Sequence, residues 1–200
     1  MIDEGVPDCL ILASGLSRRL GYDKATIQLG ETTLLSAMIE TMKDHGMKTC
    51  VVIGPTSDEE GSSDSVIFVR NEKPDHGRTG SIQVGLEALG WPERVIVAPV
   101  DRPGFSSRTL KRLFSADSSA SPEKQGRGGH PVFLDDEGVM AVRDAHPDSP
   151  LNSLIDFSRF EVDDPYLHLN VDTSEDVMSL KMAWGEISDS WRVNSNPEQE

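Results

Sequence analysis

Residues 9–24 read CLILASGLSRRLGYDK, and their pattern decides the fold. Residues 9–13 (CLILA) form a short, unbroken apolar run that ends in Ser-Gly, as expected of a strand buried on both faces of a parallel sheet. A polar, glycine-containing loop follows. Leu34, Leu35, Met38, Ile39 and Met42 then recur at spacings of three and four, which predicts an amphipathic helix over residues 33–45, closed by Gly46. The order strand, loop, helix repeats downstream. Residues 49–53 (TCVVI), 65–69 (SVIFV) and 94–100 (RVIVAPV) read as further buried strands. Ile82, Leu86 and Leu89 mark a second helix, and residues 109–114 a third. The polar stretch 56–64 between the second and third strands reads as a surface loop. Strands alternating with helices require crossover connections, so the fold class is α/β: a three-layer α/β/α sandwich around a Rossmann-like, mostly parallel sheet.

The second half has weaker patterning. Residues 115–129 (SADSSASPEKQGRGG) read as a long, mobile polar segment able to cover a site, with ASPEKQ as a shortened strand. Residues 130–134, 159–162 and 166–169 are expected as strands. Thr173 with Asp176 three positions on forms a variant capping box for a last helix ending near Ile187. These elements give one domain over residues 1–188, with an acidic flexible tail over 189–200.

Composition narrows the function classes. The chain has 200 residues, 34 of them acidic and 19 basic, for a formal charge of −15. Such a surface argues against nucleic-acid binding, which depends on Lys and Arg neutralising phosphates, so any phosphate ligand needs a local basic pocket. Cys9 and Cys50 lie in apolar runs without metal-ligand spacing and read as reduced core residues. No apolar run has signal or membrane-span length, and the expectation is a cytoplasmic protein without membrane contact.

Ligands of open α/β sheets bind beyond the carboxyl ends of the strands. The first such loop, residues 14–24, holds Gly15 and Gly21 and places Arg18, Arg19 and Lys24 within seven residues of an acidic chain. Glycines let backbone N–H groups approach a polyphosphate, and the cations complement its charge. The spacing is neither a Walker loop nor GxGxxG, and a Rossmann oxidoreductase would need the latter. From spacing alone, the loop reads equally well as a solvated basic turn. Asp101 closes the strongest apolar strand, and Asp172 precedes the last helix. Each reads either as a metal ligand or as a turn or helix-end residue.

Residues 12–24 (LASGLSRRLGYDK) resemble the signature L-A-[AG]-G-x-S-x-R-[MF]-G-x-[DP]-K of the nucleotidyltransferases typified by molybdenum cofactor cytidylyltransferase and guanylyltransferase. Four more segments resemble that family, in family order: residues 71–89, VAPVDRPGF, GRGGHPVFL and LNVDTSEDV. The resemblance implies a fold of the nucleotide-diphospho-sugar transferase type. It also implies transfer of NMP from an NTP to a phosphorylated acceptor with Mg²⁺. By it, Arg19 and Lys24 are catalytic; Ala13, Ser14, Gly15, Asn71 and Ser81 also contact the nucleotide; Asp101 and Asp172 hold the metal; Arg127 and His130 face the acceptor. Ser14, Leu20 and Asn170 depart from the pattern, and Asn170 replaces a second acidic residue, which leaves open whether it or Asp172 is the second metal ligand. The GRGGHP stretch favours CTP over GTP and a molybdopterin-type acceptor. A guanylyltransferase, a sugar-phosphate nucleotidylyltransferase and a non-catalytic nucleotide-binding regulator are the alternatives.

Overall fold

The computed structural model describes residues 5–15, 20–57 and 65–193. The first half comprises β1 (Asp8–Ala13), a 3-10 turn at Lys24–Thr26, β2 (Gln28–Leu29), β3 (Thr32–Thr33), α1 (Leu34–Asp44), β4 (Thr49–Ile53), β5 (Val66–Arg70), a 3-10 turn at Pro74–His76, α2 (Gly77–Leu89) and β6 (Val95–Pro99). The second half comprises α3 (Ser107–Phe114), β7 (Ala120–Lys124), β8 (Arg127–Gly128), β9 (Val132–Leu134), α4 (Asp136–Asp144), α5 (Leu151–Leu154), β10 (Ser158–Glu161) and α6 (Ser174–Trp191). The main sheet runs β10-β7-β9-β6-β1-β4-β5, with β8 paired to β7. Its centre, β6-β1-β4-β5, is parallel, and β9 joins β6 antiparallel.

Side chains alternate across a strand, and β1 divides its residues between two cores accordingly. Cys9, Ile11 and Ala13 pack with Leu34, Leu35 and Met38 of α1, Leu110 and Leu113 of α3, and Leu180 and Ile187 of α6. Leu10 and Leu12 pack on the opposite face with Ile82 and Leu86 of α2 and Val139 and Val142 of α4. The result is the three-layer α/β/α sandwich expected from the sequence. Helix α2 rides close to the sheet because Gly85 has no side chain: a Cβ there would stand 2.1 Å from Leu10 Cδ1 and 2.8 Å from Val52 Cγ2.

Three expectations for the second half are corrected. Residues 115–129 are not a mobile cover. Within them, Ala120–Lys124 forms β7, inserted between β10 and β9, with Ala120 and Ser121 buried. Gln125 and Gly126, both at positive φ, make the two-residue turn of a hairpin that pairs Lys124 with Arg127. This is the shortened strand expected at ASPEKQ, and polar groups around it are satisfied internally: Ser119 Oγ donates to Asp135 Oδ1 at 2.6 Å and Gly129 N to Pro122 O at 2.7 Å. Residues 166–169 are a turn rather than a strand, with Leu169 N donating to Tyr166 O at 2.8 Å. From that turn Leu167 is buried against the backbone of Gly129, while Tyr166 and Leu169 are partly buried. The last helix continues through Trp191, beyond the expected start of a flexible tail. Trp191 stacks on Phe105 with centroids 5.2 Å apart, and its Nε1 donates to Phe105 O at 2.8 Å. Among the described residues no helix is long and apolar enough to cross a membrane.

Candidate active site

The carboxyl ends of β1 and β6 open onto a cleft of about 250 Å³ lined by Ala13, Ser14, Gly15, Asp23, Lys24, Arg78, Ser81 and Asp101, among others. A second cleft of about 260 Å³ shares Ala13, Ser14, Gly15 and Asp23 and runs on between Gly21–Asp23 and residues 54–57. Arg70 fixes the outer wall of this second lobe, donating to the carbonyl oxygens of Gly54, Pro55 and Ser57 at 3.0–3.1 Å.

Lys24 is the residue around which the site is organised. Asp23 caps the short turn that begins at Lys24, accepting from Ala25 N at 2.9 Å, and so sets the direction of the lysine. Lys24 Nζ donates to Asp101 Oδ2 at 3.2 Å and also to Asp172 Oδ1. Its side chain is 11% exposed, against 22% for Asp101 and 30% for Asp172, so the cation sits deeper than its two partners.

Two residues 71 positions apart in sequence converge here because the backbone holds them together. Val171 N donates to Asp101 O at 3.0 Å. The loop after Asp101 lies flush against the Tyr166 turn: a Cβ on Gly104 would stand 1.7 Å from Tyr166 O. The capping box of α6 completes the clamp, since Asp176 accepts from the backbone N–H groups of Asp172 at 3.0 Å and Thr173 at 2.8 Å. Those bonds, led by the one from Asp172, push the Asp176 carboxyl below its ordinary range. Asn170 Nδ2 donates to Asp172 Oδ2, so the amide that replaces a family acid orients Asp172, and Asp172 is the carboxylate that shares Lys24 with Asp101.

Two carboxylates that can share one ammonium cation can also share a divalent one. Among the described residues no cluster of three or more His, Cys, Asp or Glu could hold a metal. The donor set, two carboxylates at the rim of a cleft, fits Mg²⁺, which takes one or two protein carboxylates and fills its octahedron with water and phosphate oxygens.

Ser14 and Ser81 line the cleft, and Asn71 stands behind them. Ser14 Oγ donates to Ser81 Oγ and Asn71 Nδ2 donates to the same oxygen, both at 3.0 Å, while Ser81 Oγ donates onward to Gly77 O at 3.3 Å. Asn71 therefore reaches the cleft only through Ser81. Arg19 lies outside the described residues. Arg127 is exposed on β8, and His130, just before β9, joins the cleft through Arg78, whose Nη1 is 3.3 Å from His130 Nε2.

Sequence reasoning missed Arg78 and gave Arg102 no role. Arg102 follows Asp101 directly and lies within electrostatic reach of Asp101, Arg78, Arg127 and Asp172. Burial, then Arg78, then Arg102 depress the His130 imidazole to a pKa of about 3, so the ring is neutral. The available signal was positional, because both arginines stand where the loops of an α/β sheet meet its ligand.

The chain is similar in sequence to several proteins. The molybdenum cofactor cytidylyltransferase of Escherichia coli K12 is 22% identical over 189 residues, 90% of this chain and 98% of its own length. The probable molybdenum cofactor guanylyltransferase of Bacillus cytotoxicus is 30% identical over 112 residues, 52% of this chain and 53% of its own. Nicotine blue oxidoreductase of Paenarthrobacter nicotinovorans is 28% identical over 141 residues, 63% of this chain and 69% of its own. Among solved structures, Rv0371c of Mycobacterium tuberculosis H37Rv superposes with a TM-score of 0.76 at 22% identity, covering 88% of this chain and 96% of that one. Its manganese complex superposes with a TM-score of 0.72 at 20% identity, covering 88% and 98%. These two likenesses establish the fold. The family described as the MobA-like NTP transferase domain matches residues 9–164, and the chain belongs to that family of nucleotidyltransferases.

Proposed function

We propose that this chain moves CMP from CTP to a phosphorylated small-molecule acceptor and releases pyrophosphate, with Mg²⁺ held by Asp101 and Asp172. The observation that carries this reading is the shared position of Lys24 between those two carboxylates, at the mouth of a cleft floored by Ser14 and Gly15. A triphosphate entering over Gly15 offers Lys24 phosphate oxygens in place of the carboxylates, and both carboxylates become free for the metal. Bound there, the metal would offset charge on the α-phosphate and on the departing pyrophosphate.

The chain's own residues have three tasks. Gly15 leaves room for the phosphates, Lys24 neutralises the charge that builds as the bond to pyrophosphate breaks, and the Asn170–Asp172–Asp176 chain keeps the carboxylate edge in place. An oxygen of the acceptor phosphate forms the new bond to the α-phosphorus, the bond to pyrophosphate breaks, and its electron pair leaves with pyrophosphate. The attacking oxygen is already ionised at neutral pH, so no proton has to be removed.

The preference for CTP is supported by the cytidylyltransferase relative, which aligns along nearly its whole length, whereas the guanylyltransferase relative aligns over about half. A molybdopterin-type cofactor is the acceptor that the same relatives suggest, and the cytoplasm is the compartment. The test is ligand-dependent thermal stability with Mg²⁺ or Mn²⁺, since a ligand that binds only the native state raises its midpoint. CTP should raise the midpoint more than GTP, ATP or UTP, and Asp101→Asn should remove the metal-dependent part. An equal response to all four nucleotides, or none, overturns the CTP assignment.

A further inference from the structure

A separate trough of about 800 Å³ runs along α2, between the end of β5 and residues 143–147, and shares no lining residue with the clefts of the candidate active site. Gly80, Gln83, Val84, Glu87 and Ala88 recur at helical spacings and form its floor over roughly 12 Å, at about 1.5 Å per residue. Its volume lies within the range of small-molecule clefts, about 300–1,000 Å³. Lys73 and His76 stand at one end, Trp91 and Arg143 at the other. Trp91 is strained there: its φ of 59° lies in the left-handed region, which a bulky L residue rarely adopts and glycine adopts freely. Arg143 is exposed and covers the indole, its guanidinium carbon 5.1 Å from the ring centroid. A strained aromatic residue at the rim of a cleft points to function. Among the described residues neither Lys73 nor Arg143 forms an ion pair, in a chain of formal charge −15. Glu72 and Glu87 add two acceptors to the same walls. The arrangement suits a flat ring bearing N–H groups, set against Trp91, Arg143 and Glu87, and an anionic tail reaching Lys73.

We propose that this trough is an effector site for a small planar heteroaromatic molecule with an anionic tail, separate from the nucleotide cleft and coupled to it. The site goes beyond nucleotidyl transfer and does not depend on it. Coupling follows from a shared wall. Asn71 is buried, and its Oδ1 accepts at 2.9 Å from the backbone N of Lys73, which lines the trough. Its Nδ2 donates at 3.0 Å to Ser81 Oγ, which lines the cleft. Gly80, directly before Ser81, donates from its N to Pro147 O at 3.0 Å, and a Cβ there would stand 3.2 Å from the Cβ atoms of His76 and Pro147. A ligand that orders Lys73 and His76 therefore restrains the first turn of α2, and with it the Ser81 hydroxyl.

The test uses flavin mononucleotide as the probe, followed by its fluorescence anisotropy on the full chain, with riboflavin as the control that lacks the phosphate tail. The mononucleotide should bind, and riboflavin should bind roughly fivefold more weakly or worse. Lys73→Met should bring the mononucleotide down to the affinity of riboflavin, and Arg143→Met should weaken both by roughly threefold or more. Both side chains are exposed, so these variants keep the fold. Lys24→Met should leave the mononucleotide within about twofold, which separates the trough from the nucleotide cleft. In hydrogen exchange, the mononucleotide should slow the amides of residues 77–81 in the wild type, and not in Lys73→Met at the same concentration. No binding of the mononucleotide, binding equal to riboflavin, or binding indifferent to both Lys73→Met and Arg143→Met overturns the site. Loss of binding in Lys24→Met also overturns it, since the flavin would then occupy the nucleotide cleft. Binding that leaves exchange at residues 77–81 unchanged overturns the coupling. Neither readout requires turnover, so both keep their meaning if the nucleotidyl-transfer reading fails.

Discussion

Replacing Lys24 with methionine should move two measurable properties in opposite directions. In the resting chain the ammonium group occupies the position between Asp101 and Asp172, so a divalent cation must displace it. Hydrogen bonds to charged groups contribute about 1.5–3 kcal/mol each. The two carboxylates are partly exposed, at 22% and 30%, so the pair of contacts is discounted toward the effect of one buried bond. A net 1.4–2.8 kcal/mol, roughly, corresponds to about 10- to 100-fold in affinity. Lys24→Met should therefore tighten Mn²⁺ binding to the nucleotide-free protein by about that factor. It should also lower the rate of pyrophosphate release by on the order of 10²–10³, the usual cost of losing one group that stabilises transition-state charge. Coupling between metal and nucleotide provides a further check, because on the proposed function CTP would draw Lys24 away from the carboxylates and help the metal bind. By linkage the metal helps CTP equally, and the variant should lose most of this mutual effect. Titration calorimetry with Mn²⁺, with and without CTP, measures both. Mn²⁺ affinity that is unchanged or weaker in Lys24→Met would refute the idea that the lysine and the metal share one position.

Other consequences are open to measurement. Asp101→Asn should abolish pyrophosphate release and metal binding with little change in the urea midpoint, whereas Asn170→Ala, which only frees Asp172 to swing, should retain metal binding at reduced turnover. Gly104→Ala should cost about 1–3 kcal/mol in urea unfolding, because its Cβ would stand 1.7 Å from Tyr166 O and force apart the loops that carry Asp101 and Asp172. Trp191→Ala should cost about 3–5 kcal/mol, and ending the chain after Ser188 should match it, since both remove the indole packed on Phe105. His130 stays neutral down to about pH 3 when folded, against 6.5 ordinarily, so the unfolded chain binds the extra proton. Stability is fully present above pH 6.5 and falls as pH drops from there toward 3; His130→Gln should flatten that part of the urea-midpoint profile.

The parallel half of the fold was legible because its strands are buried on both faces and contain little besides apolar residues. Residues 9–13 and 49–53 announce themselves in this way, the first helix lies within the expected residues 33–45, and Thr173 caps the last helix as its pairing with Asp176 indicated. The strand Ala120–Lys124 was expected from the ASPEKQ stretch, but its Ser, Pro, Glu and Lys gave no sign of its place inside the sheet, which depends on partners distant in sequence: β10, β9 and the Ser119–Asp135 contact. Residues 166–169 misled in the opposite sense, since alternating apolar residues serve a buried turn as well as a strand. At the site, Lys24, Asp101 and Asp172 were each identifiable, but their sharing of one position was not, because it follows from the Val171–Asp101 backbone bond and the close approach at Gly104. Arg78 was visible as a residue and silent in its role, because its contact with His130, 52 positions away, is a tertiary one.

The central claim is tested most directly by following pyrophosphate release and nucleotide product together, in ³¹P NMR, from CTP and Mg²⁺ with molybdopterin and a panel of sugar and alcohol phosphates. Nucleotidyl transfer predicts that at least one phosphate monoester yields one pyrophosphate per new pyrophosphate-linked CMP product, that dephosphorylated counterparts yield none, and that Asp101→Asn is silent with all of them. Tight, metal-dependent CTP binding with no pyrophosphate released to any acceptor would contradict it and leave the chain a nucleotide-binding regulator.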